Sequence, residues 1–430
     1  MIIIKVKHVK RTILGKSLEA VETAIVGGGI AGLSLGFFMK KKGIPFTIYE
    51  KRNRVGGILG SSETNFGIAE QAGNGFLYAA AIDEMAQTLG LDMIKANGEK
   101  KARYILRNGE MKKMPLSFGQ LIRAAQKTIL PKNKIPLTVR DFGELYFGKT
   151  FTDYLLEPGL IGIYGGLGKE LGFEAVLKNT FVPLIVDNKS LLFQAIKKAL
   201  FANKAEAKLK GLYSFKGGMQ ELITALEQHL EQHIQINTAV ENLEELSEKQ
   251  IILCTPAYVS KKLVNRETAE VLAKIKYNPF ISCTLILDKN QLPKFKEGFG
   301  CLLPRPEGFT TLGILFNSCI FNYRVKSENH LSLTCILRDF DGKLFEKTEA
   351  ELLVLLKKEF QQIFGMTGGF IDSTIFKWQQ GIPLYEPAMP TYWEELESSL
   401  SSKQANVRLF GNYTGEISIR GMCDAAMSQF

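Results

Sequence analysis

The chain has 430 residues, too many for a single core of ordinary size, so two or three lobes are expected. Its 45% hydrophobic and 23% charged residues are ordinary globular composition and exclude a wholly disordered chain. A formal charge of +10 favours anionic partners without choosing among phosphates, carboxylates, lipid surfaces and nucleic acid.

In chain order, residues 1–20 are basic but lack an apolar signal core and a small-residue cleavage site, so they read as a short strand-like extension or an over-long gene start, with a transit peptide as the alternative. Val21 to Val26 is an apolar strand, Ile30 to Lys42 a helix and Phe46 to Tyr49 a second strand, the opening of a doubly wound sheet. Gly75 to Gly90 carries the apolar spacing of a helix. From Leu116 to Ala207 the chain is rich in helix-like apolar spacing and in lysine and arginine, which marks a separate, mostly helical lobe. Gly217-Gly218 opens another amphipathic helix, and Ile234 to Thr238 and Ile251 to Cys254 return to the first sheet. Strand-like runs at Cys283 to Leu287, Leu312 to Phe316 and Leu331 to Leu337 suggest an antiparallel lobe, followed by a helix over Glu349 to Phe364. Val407 to Phe430 reads as strand, glycine turn and helix. No apolar run reaches the length of a membrane span.

Between the first strand and helix stands Gly27-Gly28-Gly29-Ile30-Ala31-Gly32, a G-x-G-x-x-G pattern. Gly27 permits a sharp turn, Gly29 lets a diphosphate approach the backbone, and Gly32 lets the helix pack close to the sheet. The helix N-terminus offers free N–H groups, with Ile30 and Ala31 beside the diphosphate. Glu50 ends the next strand, where a carboxylate accepts from a ribose hydroxyl. Together these predict dinucleotide binding. No metal site is expected: the six cysteines form no C-x-x-C pair, and His229 and His233 lack a third ligand pattern.

Glu50-Lys51-Arg52-Asn53-Arg54-Val55-Gly56-Gly57 resembles the E-x-x-x-R-x-G-G extension of flavin amine oxidase-like proteins. Further segments resemble protoporphyrinogen oxidases within that superfamily: Glu70 to Phe76, Ala102-Arg103-Tyr104-Ile105 with Met114-Pro115, Gly162-Ile163-Tyr164-Gly165-Gly166, Leu212 to Met219, Gly298 to Pro304 with Leu312 to Leu315, Trp378 with Ile382-Pro383-x-Tyr385, and Gly411 to Ile419. The chain departs from the family pattern at Ala72, Gly73, Glu386-Pro387, Glu416 and Gly421.

The resemblance implies an α/β plus α+β architecture: a Rossmann-like FAD-binding domain, a mixed-sheet substrate domain and an inserted, mostly helical, membrane-associating lobe. The expected division is an extension at 1–20, FAD-binding segments at 21–100, 211–275 and 401–430, the helical lobe with a substrate-facing segment at 101–210, and the substrate domain at 276–400. Non-covalent FAD would be held by Gly27, Gly29, Ile30, Ala31, Gly32, Glu50, Lys51, Arg54, Gly56, Gly57, Val240, Trp378, Gly411, Asn412, Ile417, Ser418 and Ile419. In the family an arginine pairs with a substrate propionate, which falls to Arg103. Gly162 and Gly165 would leave room for a macrocycle, Leu302 and Leu312 would sandwich a pyrrole, and Ile336 would line the pocket. The implied reaction is oxygen-dependent conversion of protoporphyrinogen IX to protoporphyrin IX, with hydride passing to flavin N5 and hydrogen peroxide released. Coproporphyrinogen III is the alternative substrate, and an amine oxidase or desaturase, a sugar-nucleotide mutase or a non-catalytic FAD scaffold are the rivals. No general base is evident. The resemblance points to the cytoplasm, with peripheral contact on the inner face of the cytoplasmic membrane, and leaves open a homodimer and contact with a downstream ferrochelatase. It implies no nucleic-acid partner.

Overall fold

The computed structural model describes residues 14–15, 18–100, 102–132, 134–178, 180–187, 189–200, 211–340 and 342–430. The greater part of the expected N-terminal extension, residues 1–13 and 16–17, lies outside the described residues. Leu14, nearly fully buried, pairs antiparallel with Leu409.

Two sheets carry the architecture. The first is all parallel, in the order Ile234–Gln235, Phe46–Tyr49, Thr23–Val26, Gln250–Leu253 and Val407–Leu409. Its central strand is buried along its whole length, as a parallel strand covered on both faces must be. The helix Ile30–Lys41 covers one face together with Met219–His229 and Ile419–Met427. Residues 234–235 form a shorter strand than Ile234 to Thr238 suggested, because Asn237 turns out of the sheet at φ 54°.

The second sheet has seven strands: Asp372–Pro383, Tyr277–Asp288, His330–Leu337, Thr311–Leu315, Gly300–Leu302, Arg103–Arg107 and Glu110–Lys112. Its pairs are antiparallel except Gly300–Leu302 with Arg103–Arg107, which run parallel. The antiparallel expectation therefore holds for the strands between 277 and 383 and changes where a strand from before the helical lobe joins the edge.

One face of this sheet is closed by the helix Glu349–Phe364. Cys301, Leu303, Ile314, Cys283, Cys335 and Leu337 point into that core with Leu352, Leu356 and Phe360. Thr348 caps the helix with a reciprocal Glu351 contact, and Gly365 ends it in the left-handed conformation. Strand alternation sends the intervening residues to the opposite face. Between residues 118 and 200 the described chain is helical, including Phe118–Lys127, Val139–Tyr146 and Glu157–Tyr164.

A buried ion pair joins the short hairpin strand Ile68–Glu70 to the turn before the strand His330–Leu337. Arg324, 2% exposed, meets Glu70, also 2% exposed. Its guanidinium also donates to the Ser214 hydroxyl at 2.7 Å and to the Asn74 carbonyl at 3.4 Å. Glu70 accepts from Ser61 at 2.6 Å and from the Met219 N–H at 3.1 Å, at the start of the helix against the first sheet. Burial pushes the Glu70 carboxyl up and the Arg324 charge opposes that rise. Removing one partner strands the other in the interior. Arg324→Met is expected to cost about 3–5 kcal/mol in urea denaturation, and Arg324→Met with Glu70→Leu is expected to cost less than the single change.

Candidate functional site

The glycine turn leaves the central strand at Gly27, whose φ of 110° is left-handed. A side chain there would press on the Cys254 carbonyl group at 3.1 Å. At Gly32 a Cβ would collide with the Gly27 carbonyl oxygen, so helix and strand reach their separation only with glycine there. Gly29 is different: a Cβ would meet nothing within 4 Å. Gly29 is also the helix N-cap and provides no side-chain cap, and the first helical turn holds no acid. The N–H groups of Ile30 and Ala31 therefore lack intrahelical acceptors beside the space left open at Gly29, as a diphosphate requires.

Glu50 folds back on this turn. One of its oxygens accepts from the Gly28 N–H at 2.8 Å and the other from the Arg52 N–H at 2.9 Å. The carboxylate is thus fixed beside the turn, with lone pairs remaining for a hydroxyl. The second glycine pair lies across the same turn: Gly56 donates to the Gly28 carbonyl at 2.8 Å, and the place of a Cβ at Gly57 is 3.4 Å from the Gly29 Cα. Arg54 reaches the Gly57 carbonyl at 3.2 Å and the Val55 carbonyl at 3.3 Å. Lys51 is exposed. Arg52, to which no role was expected, also donates to Gly57 O at 3.2 Å.

Val240 packs at the edge of the core formed by Val26, Leu253 and Tyr413. The C-terminal turn is held by Tyr385, which donates to the Asn412 carbonyl at 2.8 Å and accepts from the Gly415 N–H at 3.2 Å. Gly411 is buried, Ser418 caps the last helix through the Gly421 N–H, and Ile417 and Ile419 are half-buried around it. Glu416 lies over that helix start, with Lys178 at 3.8 Å. Burial holds its carboxyl above the usual range, opposed by Lys178.

Trp378 stands on the strand Asp372–Pro383 and donates its indole N–H to the Gln71 carbonyl at 3.0 Å. An open cleft between this strand and the residues around the second glycine pair is lined by Arg52, Ile58, Tyr258, Trp378 and Gln379. Gln71 was not expected as a contact; nothing in sequence distinguishes a residue that acts through its backbone carbonyl.

The predicted substrate residues share the face of the second sheet opposite its helix. Register aligns Ile336, Gly313, Leu302 and Ile105 in one row across four strands. Arg103, Gly300, Leu315 and Thr334 form the next row. Leu302 and Ile336 are half-buried. Leu312 sits at a bulge between Thr311 and Gly313 and is buried outside the helix-covered core. Arg103 is exposed at the rim, its guanidinium 4.7 Å from the Phe299 ring centre, and it has no carboxylate partner among the described residues. The helix Glu157–Tyr164 lies beside the strand Thr311–Leu315. It leaves Gly162 exposed, and the place of a Cβ at Gly165 is 3.5 Å from Ile382 and 3.6 Å from Asn278.

This arrangement fits a dinucleotide cofactor at the glycine turn, and it separates two kinds of glycine. Gly29→Ala is expected to leave the apoprotein's thermal midpoint unchanged and to weaken FAD binding about tenfold or more, read by flavin fluorescence titration. Gly32→Ala is expected to lower the thermal midpoint of the apoprotein itself, read by calorimetry.

Comparison with known proteins agrees with this geometry. The family model described as flavin containing amine oxidoreductase matches residues 30–428. Protoporphyrinogen oxidase 2 of Arabidopsis thaliana is 26% identical over 473 residues, covering 94% of this chain and 92% of that protein. Coproporphyrinogen III oxidase of Bacillus subtilis is 21% identical over 435 residues, covering 90% and 92%. Among solved structures, an Exiguobacterium sp. 255-15 protein provisionally called a protoporphyrinogen oxidase superposes with a TM-score of 0.77 at 17% identity, covering 96% of this chain and 98% of that one. Reduced UDP-galactopyranose mutase superposes with a TM-score of 0.72 at 12% identity, covering 96% and 93%. The chain belongs to the flavin-containing amine oxidoreductase family and is an FAD-dependent oxidoreductase whose cofactor is bound without a covalent link.

Proposed function

We propose that this protein oxidises a porphyrinogen to a porphyrin, with protoporphyrinogen IX as substrate and molecular oxygen as the final acceptor. The observation that carries this reading is the free face of the second sheet: an apolar row, Leu302 and Ile336 with Leu312 beside them, bordered by the unpaired cation Arg103. A greasy tetrapyrrole ring with an acidic arm matches that surface. FAD, when bound, supplies the hydride acceptor, and oxygen reoxidises it with release of hydrogen peroxide.

The chain's own residues position and shield. Arg103 takes a propionate and so fixes one edge of the ring. The aliphatic row excludes water from the methylene bridge that loses its hydride. The helix end at Gly162 to Gly165 leaves space beside the sheet where bulkier side chains would fill it. No side chain is assigned as a base. Coproporphyrinogen III is the second reading, favoured by a pair of arginines at the other end of the same face.

A lipid surface is proposed as the place of work. The helix Phe118–Lys127 buries only Ala124 and leaves Phe118 and Ile122 exposed. Leu130, Ile135 and Leu137 are exposed just after it. From 111 to 140 the sequence holds no acid and seven cations, among them Lys112, Lys113, Arg123, Lys127, Lys132 and Lys134. Apolar side chains ringed by cations suit an anionic leaflet. Among the described residues no helix is long and apolar enough to cross a membrane. This reading puts the protein on the inner face of the cytoplasmic membrane.

The activity is tested by anaerobic mixing of the FAD-loaded protein with protoporphyrinogen and, separately, coproporphyrinogen. Bleaching of the oxidised flavin by at least one is expected; reduction by neither would remove the reading. Arg103→Ala is expected to raise KM about tenfold or more with FAD retained, and an unchanged KM would take Arg103 out of the site. In flotation assays the protein is expected to rise with vesicles containing phosphatidylserine and to stay behind with neutral ones. Phe118→Ser with Leu130→Ser should abolish flotation, and undiminished flotation would discard this surface.

A further inference from the structure

Resting on the porphyrinogen reading, we propose that Arg305 and Arg338 form a second carboxylate-binding station, at the end of the substrate face opposite Arg103, which admits to the same site a porphyrinogen with carboxylates on opposite edges of its ring.

The two arginines are far from Arg103 but on the same surface. Arg338 follows Ile336 on the strand His330–Leu337, and Arg305 follows Leu302 just after its own strand. Both strands run in the same direction, because each is antiparallel to the strand Thr311–Leu315 between them. Both arginines therefore leave the sheet at the same end. Arg103 lies level with Thr334, through Gly300 and Leu315. Four residues of strand separate Thr334 from Arg338, about 13 Å along the strands at about 3.3 Å per residue, and across the sheet Arg103 lies one strand from the strand before Arg305 and three strands from the strand before Arg338. Leu302, Leu312 and Ile336 lie between them. That interval suits one macrocycle lying on the apolar row with an acidic arm at each end.

The pair is built as a receptor rather than as an ordinary surface charge. Its guanidinium groups both pack on the Phe340 ring, at 4.0 Å for Arg305 and 4.8 Å for Arg338. Two like charges on one ring repel unless an anion joins them. Arg338 is 7% exposed. It donates to Glu170 at 2.8 Å and to the Asn278 amide oxygen at 3.1 Å, while its buried Nε–H has no partner. Arg305 is exposed, donates to the Phe309 carbonyl at 3.2 Å, and has no carboxylate partner among the described residues. Glu170 pairs with Arg338, and no ion pair offsets Arg305 among the described residues. Asn278 links the station to the substrate-facing helix end: its amide donates to the Tyr164 carbonyl at 3.5 Å, beside Gly165.

Protoporphyrinogen IX carries its two carboxylates on adjacent pyrroles, on one edge, and Arg103 alone can serve that edge. Coproporphyrinogen carries one on every pyrrole, and so presents acid to both ends at once. Each added charge-assisted contact is worth about a tenfold change in affinity.

The test compares the two porphyrinogens on the FAD-loaded wild type and on Arg305→Gln and Arg305→Lys, with titration of coproporphyrin, the aromatic product, as a binding readout without turnover. For Arg305→Gln the ratio of KM for coproporphyrinogen to KM for protoporphyrinogen is expected to rise about tenfold, the change falling on KM rather than kcat. Arg305→Lys should recover part of it, and coproporphyrin should bind the Gln variant about tenfold more weakly. An unchanged KM ratio together with unchanged coproporphyrin affinity would overturn the station while leaving the oxidase reading intact. If neither porphyrinogen reduces the wild-type flavin, the oxidase reading fails, and loss of coproporphyrin binding in Arg305→Gln would still support the station by itself.

Discussion

The structure depends on how closely a helix can approach a strand. At Gly32 the backbone of the first helix meets the Gly27 carbonyl, and no side chain larger than hydrogen fits between them. That contact brings the helix N-terminus to the end of the central parallel strand. The unsatisfied N–H groups and positive end of the helix dipole then face the space left open at Gly29. Glu50 and the Gly56-Gly57 turn are laid against the same point by backbone hydrogen bonds, so three chain segments agree on one position for a diphosphate.

A flavin placed there is useful only if a second surface faces it at a fixed distance. The Glu70–Arg324 pair supplies that constraint. It joins the segment that follows the glycine turns to the loop before the strand His330–Leu337, and it is almost wholly out of water. Such a pair costs desolvation and gives little net stability against apolar neighbours, but it penalises any other alignment of the two segments it joins. The substrate face of the second sheet owes its character to a simple alternation. Each strand gives one set of side chains to the helix Glu349–Phe364 and the other set to the open side. Leu302 and Ile336 lie on the open side, with Arg103 in the adjoining row.

What was legible in the sequence follows from how local each signal is. The strand, glycine turn, helix and Glu50 are adjacent in the chain, and their spacing alone predicts the nucleotide site. The helix over Glu349 to Phe364 is marked by its cap, its apolar period and Gly365. Arg103 and the Leu302 segment were singled out by resemblance, not by any local pattern. The features not seen in advance depend on distant pairing. The strand Arg103–Arg107 joins residues 300–302, nearly two hundred positions later. The Thr311–Gly313 bulge, not the alternation, sets Leu312 outside the helix-covered core. Arg324 and Arg338 look like ordinary isolated arginines until the fold surrounds them. Glu416, a departure from the family pattern, proves to sit over the start of the last helix beside Lys178.

The central claim is that the first-turn amides of the helix Ile30–Lys41 hold the cofactor's diphosphate. Amide hydrogen exchange on the apoprotein and after FAD addition measures this directly. The account expects the Gly29 to Gly32 amides, which have no cap, to exchange quickly without FAD and to be strongly slowed by it. Tight FAD binding that left those amides unchanged and protected a different surface would contradict it.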